Sequence, residues 1–92
     1  MPTPRQEAAL AVADAFTGLL HAIDALEWPR VRSALADRVA TDYTSLFGGS
    51  PAERTADELI RVWEGLLPGF DATQHLTGPI HAVPIEGGVR AT

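Results

Sequence analysis

The chain opens with a capping box that runs into a long amphipathic stretch, and no other feature limits its fold as strongly. Thr3 can cap, Pro4 suits the first helical position, and Gln6 closes the box three residues after Thr3. Apolar residues then recur at Ala9, Val12, Phe16, Leu19, Leu20, Ile23 and Leu26, which is helical spacing with one buried stripe. The opposite side carries Asp14, Thr17, His21 and Asp24. The pattern predicts a helix from about Pro4 to about Leu26. A chain of 92 residues makes one small domain. Such a domain buries only roughly two-thirds of the surface of its unfolded chain, so every element has to contribute to covering that stripe.

Composition narrows the classes of function. The net charge of −5, with seven scattered basic residues that are all arginine, argues against a phosphate-backbone binder. There is no cysteine, so disulfides, thiolate metal sites and thiol nucleophiles are excluded. No apolar run approaches the ~20 residues needed to span a bilayer, and the N-terminus lacks a signal-peptide pattern. The expectation is a cytoplasmic protein that binds neither nucleic acid nor membrane. A composition rich in Ala and Arg and without lysine is associated with high-GC bacteria.

Glu27-Trp28-Pro29 breaks the first helix and starts a short second one to about Ala36, burying Val31 and Leu35, with Trp28 in the corner between the two. Arg38 to Thr44 reads as a strand, with Val39, Thr41 and Tyr43 on one face and Arg38, Ala40 and Asp42 on the other. Leu46 to Pro51 reads as a loop with an apolar tip. Thr55-Ala56-Asp57-Glu58 is a second capping box, which starts a helix with Leu59, Val62, Trp63 and Leu66 on one side. Pro68-Gly69 ends it. Phe70 to Leu76 alternates as a strand, with Asp71, Thr73 and His75 facing one way. Ile80 to Ile85 is a third strand, edge-like at Pro84. Glu86-Gly87-Gly88 is a hairpin signal, and Val89 to Thr92 begins a fourth strand. Three helices against a mainly antiparallel sheet make an α+β layer arrangement. A strand after a good hairpin turn usually runs to ~5–6 residues, so the four residues Val89 to Thr92 read as the start of a longer one, and the domain is expected to be truncated at its C-terminus.

These elements resemble the SnoaL-like and scytalone dehydratase-like group of the nuclear transport factor 2-like superfamily. The residues that carry the resemblance are Asp24-Ala25-Leu26-Glu27-Trp28, Thr41-Asp42-Tyr43-Thr44-Ser45-Leu46-Phe47-Gly48-Gly49, Ala56-Asp57-Glu58-Leu59 with Trp63, and Leu67 through Leu76. The resemblance implies a cone: a curved, mainly antiparallel sheet packed on three N-terminal helices around an elongated apolar pocket. It implies further strands after the fourth, so that these residues correspond to the N-terminal two-thirds of a family domain. A second pocket histidine of the dehydratases and the catalytic aspartate of the cyclases belong to that later part. Family members include dehydratases, isomerases, polyketide cyclases and binding domains without catalysis, so fold alone does not select a function.

By the same resemblance His75 matches a pocket histidine used in proton transfer. Asp24 matches an aspartate that orients it, and Tyr43 a tyrosine that helps polarise a substrate carbonyl. Ile23 stands where the dehydratases have a second pocket tyrosine. Isomerases of the superfamily place a catalytic carboxylate close to Asp42. An imidazole can both take and give a proton near neutral pH, which suits His75 to acid/base work; a strand histidine can equally be satisfied by backbone or water. Tyr43 can donate to a carbonyl or enolate oxygen, or stand as an amphipathic wall. Asp42 turned inward would have a raised pKa and could shuttle a proton; turned outward it is a solvated carboxylate. Asp24 can pair with His21 three residues before it, or turn toward His75. His21, His75 and His81 lack a metal-ligand spacing, so no metal is expected. Trp28, Trp63, Phe16 and Phe47 read as core and pocket wall. The expected ligand is a small apolar or aromatic carbonyl compound, and the chemistry expected is dehydration, isomerisation or aldol-type cyclisation without a cofactor. The alternative is a non-catalytic binding or dimerisation module or an inactive fragment, with a homodimer covering the open sheet edge.

Overall fold

The computed structural model describes residues 1–70 and 72–92, with the side chains of Leu46 and Phe47 outside that description. Helix α1 spans Pro4–Asp24. Its capping box forms as read: the Gln6 N–H donates to Thr3 Oγ1 at 3.1 Å, and the Thr3 N–H donates to Gln6 Oε1 at 2.8 Å. At the other end the Leu26 N–H donates to the Ile23 carbonyl at 3.0 Å and the Glu27 N–H to the Ala22 carbonyl at 2.9 Å. This pair of bonds is a Schellman closure, which needs a left-handed residue at its turn. Leu26 fills that position at φ 57°, where glycine is the usual occupant. The reversal fixes the exit from α1 two residues after Asp24 and aims the chain into α2, Trp28–Ala34.

Strand β1 (Arg38–Thr41) pairs antiparallel with β2 (Ala52–Thr55), in the register Arg38 opposite Thr55 and Thr41 opposite Ala52. The strand expected to reach Thr44 stops at Thr41 for a local reason. The Asp42 carboxylate accepts from the Thr44 N–H at 3.0 Å and from the Thr44 hydroxyl at 2.6 Å. An Asx turn of this kind offers the backbone an alternative to the ladder, and the single-turn α3 (Thr44–Phe47) follows. Strand β2 was not legible as one. It runs directly into α4 (Ala56–Leu66), whose cap Thr55 is also the last strand residue. A 3-10 turn at Leu67–Gly69 ends the helix, as Pro68 and Gly69 predict.

The core lies among three helices. Ala22 and Ile23 of α1, Val31 of α2 and Ile60 of α4 are buried together, with Leu19, Leu20, Trp28, Leu35, Trp63 and Leu67 packed around them. The face of α4 differs from the expected one: Leu59 and Ile60 are buried, whereas Val62 and Leu66 are exposed. Two stripes are open to a helix with apolar residues on both sides of the Leu59–Trp63 line, and contact with α2 selects the Ile60 side. Phe16, expected as core or pocket wall, is 41% exposed and lines a small apolar cleft with Val12, Ile80, Ala91 and Thr92, where the hairpin meets α1.

Strands β3 (Ala82–Ile85) and β4 (Gly88–Ala91) form the expected hairpin, with Gly87 at φ 80° in the turn. Two further bonds, both 2.9 Å, extend the ladder between His81 and Thr92. The hairpin lies against α1, where Ala82 is fully buried. The class is α+β, as expected, but the described strands form two separate two-stranded antiparallel sheets rather than one curved sheet. The reason lies between them. Residues 72–81 take no regular strand, and the His75 N–H donates to a side chain instead of to a ladder. Asp71, part of that expected strand, lies outside the described residues. No helix is long and apolar enough to cross a membrane among the residues described.

Candidate functional site

The site is built on the last turn of α1. Asp24 projects from the polar side of the helix, opposite the buried Ile23 stripe, into the segment that follows the 3-10 turn. Its carboxylate is the segment's anchor. Oδ2 accepts from the His75 backbone N–H at 2.8 Å, and Oδ1 accepts from the Thr73 hydroxyl at 2.9 Å. Oδ1 also lies 2.7 Å from His75 Nδ1. An ionised carboxylate only accepts, so Nδ1 carries the proton and Nε2 is the ring nitrogen left for other partners.

Thr73 and His75 reach Asp24 together because residues two apart in extended chain share a face. That part of the alternation holds although the segment is not a ladder strand. The Asp24 side chain is 16% exposed and that of His75 is 42% exposed, so the link joins a sheltered carboxylate to an accessible imidazole. Burial pushes the Asp24 carboxyl up. The hydrogen bonds from the His75 N–H, the His75 ring and the Thr73 hydroxyl outweigh it, and the net pKa lies below the ordinary value.

A cleft of about 590 Å³ opens at this point, lined by His21, Asp24, Ala25, Ala72, Thr73, Gln74 and His75. Of the two partners open to Asp24 in the sequence, the fold selects His75; among the described residues no ion pair links Asp24 to His21, which lines the same cleft. Thr73 and Gln74 stand in a stretch that carries the resemblance, but neither had an expected role in the site. The signal for Thr73 was its place two residues before His75. Tyr43 and Asp42 are not among the lining residues. Tyr43 caps α3 and is about half exposed. Asp42 is exposed and engaged with Thr44, and the bonds from the Thr44 hydroxyl and N–H hold its carboxyl below the ordinary range. This is the outward arrangement, without the raised pKa that a proton-shuttling carboxylate would need. Among the described residues no three His, Asp or Glu side chains come together as metal ligands.

The direction of both carboxylate shifts sets an acid response. A folded pKa below the unfolded one stabilises the fold above the unfolded value, about 3.9 for Asp, and that stability is lost as pH falls through the folded value. Thermal unfolding followed from pH 7 to pH 2 is therefore expected to show a steep loss below about pH 4. The loss should be shallower in Asp24→Asn; an identical pH profile for the two proteins would contradict the anchoring role of Asp24.

No curated protein and no solved structure matches the chain. A family model described as a SnoaL-like domain matches residues 4–92, which includes α1, the Asp24 anchor, the cleft segment and both hairpin strands. Domains of the nuclear transport factor 2-like superfamily bind small molecules and often form dimers. With the match running over nearly its whole length, the chain belongs to the SnoaL-like family of that superfamily.

Proposed function

We propose that this SnoaL-like domain binds a small apolar carbonyl compound in the Asp24–His75 cleft and moves a proton on it, as a dehydratase, isomerase or cyclase does. The observation that supports this most is the 2.7 Å link between Asp24 Oδ1 and His75 Nδ1 beside an open cleft. It is the arrangement a general base requires: one ring nitrogen fixed by a carboxylate, the other free to meet substrate.

The chemistry is as follows. His75 Nε2 takes a proton from the carbon next to the carbonyl. The C–H electron pair moves toward the carbonyl carbon and the negative charge settles on oxygen. The imidazolium formed is stabilised by the Asp24 carboxylate at its other nitrogen. Returning that proton to a different carbon completes an isomerisation. Giving it to a departing β-hydroxyl completes a dehydration and releases water. In an aldol-type closure the enolate carbon attacks a second carbonyl and the proton goes to the new alkoxide. In each case the proton count closes on His75, so no cofactor is required. Tyr43, which resembles a carbonyl-polarising tyrosine, would have to reach the substrate from outside the residues that line this cleft.

A second reading is binding without catalysis, favoured by the accessibility of His75, which leaves a reacting group wet. Deuterium uptake separates the two. Wild-type protein in deuterated water is expected to accelerate exchange at the α-carbon of one or more members of a panel of aryl and alkyl ketones. His75→Ala should lower that rate about 100-fold or more, the usual contribution of a positioned base. Binding of a ketone without exchange would instead support the second reading.

A further inference from the structure

The polar groups of the cleft divide into those that satisfy one another and those that do not. Asp24, Thr73 and the Nδ1 side of His75 form a closed set: three donors meet one carboxylate. What remains facing a ligand is the Nε2 side of His75, the Gln74 amide and the imidazole of His21. His21 lies three residues before Asp24 in α1, one helical turn back on the same side, where neighbouring side chains stand about 5–6 Å apart. It is exposed, and among the described residues its ring makes no hydrogen bond or ion pair.

We propose that His21 is the group that binds the oxygen of the substrate, and that the cleft therefore selects ligands able to present an anionic or enolate-like oxygen beside an acidic C–H. This rests on the proton-transfer reading above. An imidazole offers at least one N–H in either protonation state. A donor one helical turn from the Asp24–His75 pair can meet an oxygen while His75 Nε2 meets a carbon one bond away from the carbonyl carbon. Removing a proton from carbon places charge on that oxygen, and a donor already aimed at it stabilises the charge as it develops. Without such a donor the base alone would have to generate an enolate in an open cleft.

The helix makes the arrangement rigid. His21 and Asp24 share the last turns of α1, whose opposite side is locked by the buried Ala22 and Ile23. Base and oxygen donor are thereby held by one element: His21 directly, and His75 through Asp24. The carbonyl's oxygen and its α-carbon would thus be read by two imidazoles brought to one end of α1, which favours planar, conjugated carbonyl compounds that form a stable enolate.

The test uses 4-nitrophenolate, a planar stand-in for an enolate, with binding followed through the imidazole carbon-bound proton signals of His21 and His75 in the NMR spectrum. The probe is expected to shift both signals in the wild-type protein. His21→Phe, which keeps a ring and loses the N–H, should bind at least about tenfold more weakly, the loss expected for one hydrogen bond to a charged acceptor. His21→Asn, which keeps an N–H donor, should stay within a few-fold of wild type. Equal binding by wild type and His21→Phe would overturn the inference, as would His21→Asn being as weak as His21→Phe, or no binding to the wild type. None of these outcomes removes the proton-transfer reading, which stands or falls separately on His75-dependent deuterium exchange.

Discussion

Asp24→Asn is expected to abolish proton transfer while leaving the fold nearly intact. The carboxylate offers acceptors at both oxygens, and all three of its donors use them. An asparagine has one carbonyl oxygen and one NH2. If the NH2 took the Oδ2 position it would face the His75 backbone N–H, donor against donor, and a backbone N–H cannot turn round. The amide therefore settles with its oxygen on the backbone N–H and its NH2 at the Oδ1 position. There the Thr73 hydroxyl can rotate to accept. His75 Nδ1 can satisfy the NH2 only by giving up its proton, which moves the hydrogen to Nε2. The nitrogen facing the cleft becomes a donor, and the base is lost. The expected fall in exchange rate is about 10²- to 10⁴-fold, with a stability cost of about 1 kcal/mol because the backbone tether survives. Asp24→Ala should lose the same activity and about 2 kcal/mol, since the segment then has no anchor and no ladder to hold it. An Asp24→Asn protein that exchanges at the wild-type rate would contradict the mechanism.

Val31→Asp is expected to unfold the domain. Val31 is fully buried at the meeting of the three helices, against Ala22, Ile23 and Ile60. Among the described residues the side chains of that cluster are all apolar, so none pairs with a carboxylate. The change removes apolar burial and leaves either a buried charge or a carboxyl forced to stay protonated, at a cost of about 4 kcal/mol or more. Domains of this size are stable by only about 5–10 kcal/mol, so the loss is a large part of the total. Circular dichroism during urea titration should show the midpoint falling to near zero denaturant. A midpoint within 1 M of wild type would show that the core lies elsewhere, at the hairpin on α1.

Where sequence sufficed, the cause was local. Both capping boxes are complete within four residues, and both helices begin where those boxes put them. The Glu86-Gly87 turn is equally self-contained. The meeting of Asp24 and His75, 51 residues apart, was legible because the resemblance named both positions and the alternation put Thr73 beside His75. The rest depended on competition between local bonds and distant partners. Ala52-Glu53-Arg54-Thr55 has no apolar alternation to mark a strand; it is one because Arg38-Val39-Ala40-Thr41 lies alongside, with Arg38 paired to Glu53 at 2.6 Å. The strand expected through Tyr43 fails because one carboxylate at Asp42 captures the next turn. Leucine at position 26 gives no hint of a left-handed turn, since it is the surrounding closure of α1 that imposes it. His21 read as a polar-face residue and a pairing partner for Asp24, with no role toward a ligand, until the fold placed it on the cleft.

The measurement that tests this account most directly is the tautomer of His75. Long-range correlation of the imidazole carbon-bound protons with the ring nitrogens distinguishes a protonated Nδ1 from a protonated Nε2 in the neutral ring. The account predicts that neutral His75 carries its hydrogen on Nδ1, held by Asp24, with Nε2 unprotonated, and that Asp24→Asn reverses this. A wild-type His75 found with its hydrogen on Nε2, or averaging freely between the two nitrogens, would mean that Asp24 does not hold the ring, and the proposed base would be lost with it.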